Sequence, residues 1–440
     1  MVEGFFTARN IAVIGASRFR SKVGNVVFKG LQEKRINAIP INPNAKKIMG
    51  KRCYPSVLDY KGKVDMAVVA VPGPIVPKVV DECGRKGIKY VIVISAGFSE
   101  SGRGGEALDK ALKEVIKKHS IKLLGPNCLG VIDPKRRLNA SFFSGMPPAG
   151  GVAFVSQSGA LAVAMLDYAI KEKIGLSKFV SVGNMLDVDF SEVLGYLDKD
   201  DETKCICLYI ESLRNGRSFI DAAKRSKKLI IALKAGKSES GNRAASSHTG
   251  SLAGSAEVYS GAFKQAGIIE VNSLEKLFNV ALSCASQGRP AGKRVLIVTN
   301  AGGPGVMAAD ACERLGLDVA KIPAATEKVL DKKLPPHWSH NNPVDVVGDA
   351  TSKSFRDVFE AVNSRFFDSA IIIVTPQAMT DVENIVREGL RFRRRIKKPV
   401  YFCLMGGKLV DAGIRILKEN CLINFSEPTK VARTIKLLQK

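Results

Sequence analysis

Val152-Ala153-Phe154-Val155-Ser156-Gln157-Ser158-Gly159-Ala160 is an apolar run of strand length that breaks into small polar residues and glycine. A parallel strand buried on both faces reads as such a run, and Ser just before Gly-Ala suits the start of a helix. The same design recurs at Ile11-Ala12-Val13-Ile14-Gly15-Ala16-Ser17 and at Val295-Leu296-Ile297-Val298-Thr299-Asn300-Ala301-Gly302-Gly303-Pro304-Gly305. Each copy opens a segment of about 140 residues in which strands and helices alternate. That alternation predicts an α/β chain of three consecutive doubly wound parallel-sheet domains. The first is Rossmann-like and the other two flavodoxin-like, and ligands should sit beyond the carboxyl ends of the strands. Turn formers collect at Gly145–Gly150 and Gln287–Gly292, which predicts domains 1–147, 148–288 and 289–440.

Composition narrows the function classes. The chain has 440 residues, 45% of them hydrophobic, enough for a core in each segment. Its apolar runs stay well below the ~20 residues of a membrane span. Met1-Val2-Glu3-Gly4-Phe5-Phe6 has no basic stretch leading into an apolar one, so no signal peptide and a cytoplasmic location are expected. Nine cysteines without a Cys-x-x-Cys pair argue against a disulfide framework and against a metal site. The net charge of +25 favours anionic partners, among them nucleic acid, a polyanionic cofactor or an acidic subunit. No basic stripe interleaved with aromatics is present, so nucleic acid is not expected. The densest cluster, Arg391-Phe392-Arg393-Arg394-Arg395-Ile396-Lys397-Lys398, reads as a solvated helix end before the strand Pro399–Phe402, with a partner-binding patch as the alternative.

In the first segment Gly15-Ala16-Ser17 lacks the G-x-G-x-x-G spacing of a dinucleotide site. The second strand ends in Asn42-Pro43, where an NAD site places an acidic residue. Arg18, Arg20, Lys22, Lys46 and Lys47 suit a ligand richer in phosphate, such as coenzyme A with its 3′-phosphate. Later strands end in Ala70-Val71-Pro72-Gly73, Ser95-Ala96-Gly97-Phe98 and Gly125-Pro126-Asn127-Cys128-Leu129-Gly130, and all should meet at one edge. Cys128 in that last turn reads as a packed thiol rather than a nucleophile.

The second and third segments carry two candidate anion sites. Unpaired backbone N–H groups at a helix start bind anions, so Ser156-Gln157-Ser158-Gly159 and Gly302-Gly303-Pro304-Gly305 are each candidates for phosphate. Two such ends on one phosphate would supply several donors without an arginine. His248 lies in Arg243-Ala244-Ala245-Ser246-Ser247-His248-Thr249-Gly250-Ser251-Leu252-Ala253-Gly254-Ser255, among residues too small to enclose an imidazole. It fits a nucleophile that accepts a phosphoryl group, although spacing alone favours a histidine filling a loop or capping a helix. Glu211 ends the strand Cys205–Ile210, where a carboxylate can accept the Nδ1–H of a histidine and free Nε2 to attack phosphorus. Arg214 and Arg217 are its other possible partners.

The first-segment loops Asn42-Pro43, Val71-Pro72, Ser95–Phe98 and Gly125–Gly130 resemble the CoA-binding domain of the succinyl-CoA synthetase superfamily. With Ser156–Gly159, Ser247-His248-Thr249-Gly250, Gly302–Gly305 and Asn342-Pro343-Val344-Asp345, the whole chain resembles the α subunit of archaeal ADP-forming acyl-CoA synthetases. The resemblance implies CoA contacts at Gly15, Ser17, Lys22, Asn42, Lys46, Pro72, Gly97 and Phe98. It implies that His248 is phosphorylated, that Glu211 steadies it, and that the loops at Ser156, Gln157, Ser158 and Gly159 and at Gly302, Gly303 and Gly305 bind phosphate. Longer, fused members carry an ATP-grasp nucleotide-binding region. No such region is read after Gly305, so the resemblance implies a separate β subunit with ADP or ATP and Mg²⁺, in an α2β2 assembly. The small-molecule partners would be acyl-CoA and phosphate. A CoA sensor without catalysis would need neither His248 nor Glu211, and an NAD-dependent oxidoreductase lacks its acidic residue near Asn42. No acetyltransferase domain is left over for a protein acetyltransferase.

Overall fold

A computed structural model describes residues 2–32, 36–243 and 255–439, apart from the side chain of Arg103. The chain divides into two compact units, Met1–Leu277 and Phe278–Lys440.

The first unit contains two main sheets. In one, β1 (Asn10–Ile14), β2 (Asn37–Ile41), β3 (Met66–Val69), β4 (Tyr90–Val93) and β5 (Lys122–Leu124) run parallel in the order β2-β1-β3-β4-β5. Tyr54 forms a parallel bridge to Ile41 outside β2. Counting that rudimentary strand, the order becomes the Rossmann one, with the switch point at β1 and β3. The strands are Ile- and Val-rich and buried because helices such as Val23–Gly30 and Arg103–His119 cover the sheet.

The other sheet comprises β6 (Gly130–Asp133), β7 (Leu138–Ser141), β8 (Ala149–Ser156), β9 (Leu176–Ser181), β10 (Cys205–Ile210), β11 (Leu229–Lys234) and β12 (Ile269–Val271). Their order is β12-β11-β10-β8-β9-β6-β7. The five strands β8–β12 are parallel, and the hairpin β6–β7 adds antiparallel through Phe179↔Ile132 and Val180↔Val131.

Residues 130–141 therefore join the second sheet, although the turn formers at Gly145–Gly150 had placed them in the first domain. The reason is burial. All eight residues of β6 and β7 are buried, so the hairpin needs a sheet beside it. Lys178 on β9 fixes it electrostatically, with Nζ 3.3 Å from Asp133, 3.4 Å from Asp200 and 3.2 Å from Glu202. Burial pushes the Asp133 carboxyl up, against the pull of Lys178. One apolar core runs through both sheets, joining Phe28, Leu138, Val155 and Phe190. Both sheets thus lie within one compact unit.

The second unit holds β13 (Arg294–Thr299), β14 (Asp318–Val319), β15 (Val344–Asp345), β16 (Ser369–Val374) and β17 (Val400–Leu404). All are parallel, in the order β14-β13-β16-β17 with β15 also on β13. Ile371, Ile372 and Ile373 of β16 are fully buried, as expected of a strand covered on both faces. No described helix is long and apolar enough to cross a membrane.

Candidate functional site

The loops after the first-sheet strands are stitched together at one edge, as parallel topology requires. The Gly15 N–H donates to Ile41 O at 2.9 Å, the Ala70 N–H to Ile14 O at 2.8 Å, and the Asn127 N–H to Ser95 O at 2.9 Å. Asn42 Nδ2 donates to Ala16 O at 2.8 Å, and Asn25 Nδ2 to Ser17 O at 2.7 Å. Gly15 has φ +91°, and a Cβ there would lie 2.3 Å from Ala70 O. A Cβ on Gly24 would lie 1.9 Å from Gly15 O. The edge is therefore a half-buried backbone turn held by two amides, a shape that lets a phosphate-bearing ligand approach the main chain. Lys22, Lys46 and Pro72 are exposed along it, and Gly97 is half-buried.

Phe98 differs from the expectation in one respect. Its side chain is fully buried in the core of the first sheet, so no ligand reaches the ring. The N–H groups of Gly97 and Phe98 instead donate to Glu100 Oε1, at 2.6 and 3.2 Å. Cys128 is buried, its thiol donating to Val93 O at 3.3 Å, and burial pushes it up to about 12. It is a structural thiol, as its turn context implied.

At the carboxyl edge of the second sheet, β8 passes through Gln157 into the helix Gly159–Lys171, capped by Ser158 Oγ accepting from the Leu161 N–H at 3.4 Å. Ser156 is fully buried and its hydroxyl donates to Ser158 O at 2.8 Å. Gln157 is buried too. Its Oε1 accepts the N–H groups of Glu211 and Ser212, each at 2.9 Å, and its Nε2 donates to Ser212 Oγ at 2.9 Å. These two side chains are engaged within the protein and shape the turn. The groups this helix start offers an anion are the N–H groups of its first residues, Gly159 and Ala160. Glu211 is buried, and its backbone is fixed by Gln157. Arg217 pairs with Asp221 at 3.3 Å, while Arg214 reaches Asp109 at 3.9 Å and Leu186 O at 3.5 Å.

The second unit repeats this turn. β13 ends in Thr299, whose Oγ1 donates to Ala301 O at 3.0 Å, as Ser156 does to Ser158 O. Asn300 is fully buried and exchanges 2.9 Å bonds with both the N–H and the C=O of Thr375, after β16. Hydroxyl, amide, N-cap and glycine thus occupy matching places in Ser156–Gly159 and Thr299–Gly302. The helix Gly302–Arg314 follows, with Gly302 and Gly303 exposed and Gly305 packed against Thr299 and Pro343. Asp345 of β15 lies beside this helix start, since a Cβ on Gly302 would be 3.2 Å from Asp345 Oδ2.

His248 lies outside the described residues, between β11 and the helix Ala256–Gln265 in sequence. Lys234, Tyr259 and Asn300 belong to these edges and were not singled out in the sequence. Lys234 ends a run that reads as an ordinary strand reaching the surface, yet it is 3% exposed. The basic cluster at 391–398 is the end of the helix Val382–Ile396, as expected. Its cations donate to nearby acceptors: Arg393 to Gln287 Oε1 at 3.2 Å, and Lys398 to Ser364 O and Phe367 O.

Three family models match: a CoA binding domain at residues 9–134, a succinyl-CoA ligase like flavodoxin domain at 149–284, and a ligase-CoA domain at 295–436. The chain is 40% identical over 442 residues to ADP-forming acetate–CoA ligase II subunit alpha of Pyrococcus furiosus, covering 98% of this chain and 96% of that protein. It is 42% identical over 440 residues to ADP-forming acetate–CoA ligase I of Archaeoglobus fulgidus, covering 99% of this chain. It spans 63% of that relative, less than two thirds of its length. A solved structure of dinucleotide-forming acetyl-coenzyme A synthetase 1 from Ca. Korarchaeum cryptofilum, in complex with phosphate and ADP, superposes with a TM-score of 0.94. Identity to it is 36%, over 100% of this chain and 96% of that one.

Proposed function

The chain belongs to the family of ADP-forming acetate–CoA ligase α subunits, and on that premise we propose that it is the CoA-binding, phosphohistidine-carrying subunit of an ADP-forming acyl-CoA synthetase. The observation that carries the reading is the repeated turn. Two strand ends present the same hydroxyl–amide–cap–glycine helix start, and one of them anchors Glu211. Helix starts of this kind stabilise the oxygens of a phosphoryl group in transfer. The stitched edge of the first sheet, with Gly15, Ser17, Asn42, Pro72 and Gly97, would receive CoA, and exposed Lys22 and Lys46 would meet its phosphates.

The reaction has three steps. A phosphate oxygen attacks the acyl-CoA carbonyl, the C–S bond breaks, and CoA leaves as an acyl phosphate forms. His248 Nε2 then attacks phosphorus and the carboxylate leaves. Glu211 accepts the Nδ1–H and steadies the charge on the ring. Phosphohistidine last passes the phosphoryl group to ADP. A separate β subunit with an ATP-grasp fold would hold ADP and Mg²⁺, in a cytoplasmic α2β2 assembly. The Ser156–Gly159 and Gly302–Gly305 starts would act on the phosphoryl group, and the His248 segment would travel between the CoA and nucleotide sites.

The test is to incubate the chain and its β subunit with acetyl-CoA and labelled phosphate. Wild type should acquire an acid-labile, alkali-stable label that is absent in His248→Ala. A label that persists in that variant would discard the assignment.

A further inference from the structure

The carboxyl edge of the second sheet contains a buried cation that the three-step scheme leaves idle. Lys234 closes β11 directly beside Ile210 of β10, one residue before Glu211. Its ammonium donates to Ala235 O and sits 4.5 Å from the centroid of the Tyr259 ring. Burial lowers its affinity for a proton, Glu211 opposes that effect, and Lys237 adds to it. The Tyr259 hydroxyl in turn accepts the Leu213 N–H at 3.1 Å, two residues after Glu211. The turn bearing Glu211 is thus held from two sides, by Gln157 at residues 211 and 212 and by Tyr259 at residue 213.

Lys234 and Tyr259 also stand on opposite sides of residues 244–254 in sequence, one on the strand that leads in and the other on the helix that leads out. Among the described residues the Lys234 ammonium meets a carbonyl and an aromatic face, with the Glu211 carboxylate within electrostatic reach. A charge buried in this way is costly, so that an apolar side chain of similar size would ordinarily be no less stable there. A charge placed there points to a role other than stability.

We propose that Lys234 and Tyr259 form a positioning pair for phosphoryl transfer. The cation–π contact between them joins the two stems of the histidine-bearing segment, and the Tyr259–Leu213 bond ties that junction to the turn of Glu211. The pair touches no reacting atom. It sets where the segment starts and ends relative to the carboxylate that receives the imidazole, and it keeps a positive charge within electrostatic reach of that carboxylate. The inference rests on the proposed roles of His248 and Glu211.

The test uses the full chain with its β subunit, acetyl-CoA and labelled inorganic phosphate. Lys234→Met removes the charge and keeps an apolar stem. It should unfold at a denaturant concentration no lower than wild type, and KM for acetyl-CoA should stay within about twofold, yet label transfer should slow by about tenfold or more. Tyr259→Phe keeps the ring beneath the ammonium but removes the acceptor for Leu213. It should slow transfer by a smaller factor, about three- to tenfold. Labelling at the wild-type rate in either variant overturns the inference. A fall that tracks lost stability overturns it as well, because packing alone then accounts for the loss. If Lys234→Met does not fold, Tyr259→Phe decides alone. If wild type itself takes no acid-labile label, the functional reading fails instead.

Discussion

Replacing Gln157 by leucine tests whether the amide is a phosphate donor or a clamp on the neighbouring turn. Leucine approximates its volume and removes every polar atom. The Glu211 and Ser212 N–H groups, each now 2.9 Å from Gln157 Oε1, lose their acceptor inside a buried site, and Ser212 Oγ loses its 2.9 Å donor. An orphaned buried donor costs about 1–3 kcal/mol, so the two N–H groups together amount to about 2–6 kcal/mol. Urea unfolding followed by circular dichroism, with both curves fitted for m, measures the difference. Gln157→Glu keeps an oxygen for the two N–H groups and should lose less stability than leucine. It nonetheless places a second carboxylate next to Glu211, so it should slow labelling of His248 by at least about tenfold. A leucine variant within about 0.5 kcal/mol of wild type would refute the clamp, because a solvent-facing phosphate donor leaves nothing orphaned when removed.

Gly24→Ala drives a methyl to 1.9 Å from Gly15 O, so the backbone of the 15–17 turn must move. CoA affinity by calorimetry should fall by about tenfold or more, and unchanged affinity would separate this turn from the CoA site. Asp81 is held down to about 2, first by His119 at 2.8 Å and then by Lys118. Its folded value lies below the unfolded one, so its stabilisation is present above about pH 4 and fades as pH falls towards 2. Wild type should therefore lose more stability than Asp81→Asn across that window, and parallel denaturation curves would contradict the sign. Of the nine cysteines only Cys421 is exposed, so native alkylation at neutral pH should modify it alone by mass spectrometry. Cys128→Ala should keep catalysis, and a large drop in rate at unchanged stability would restore that thiol as a candidate nucleophile.

The three strand-to-helix turns were legible because β-branched runs ending in Gly and Ser are local features. The same locality explains what was missed. Gly130-Val131-Ile132-Asp133 reads as the end of the first domain, since its partners Phe179 and Val180 and the counter-ion Lys178 are distant in sequence. Turn formers at Gly145–Gly150 mark a connection inside a shared core, and composition does not distinguish that from a boundary. At the site, glycine-rich helix starts announced themselves, whereas the tasks of the side chains did not. The work of the Gln157 side chain shows only once β10 is brought beside it. Phe98 looks like part of a binding loop until the sheet closes over its ring. Lys234 looks like a surface lysine until Tyr259 lies against it.

The hairpin β6–β7 also bears on how the protein can be dissected. A fragment cut at 147 would carry two strands whose neighbour stayed behind, leaving an apolar edge and the Asp133 carboxylate stripped of Lys178. Such a piece invites strand-mediated aggregation, and in the remainder β9 would lose β6 and stand uncovered on one side. Expression of separate parts should follow the division near Leu277 instead, which keeps both sheets and their common interior in one product.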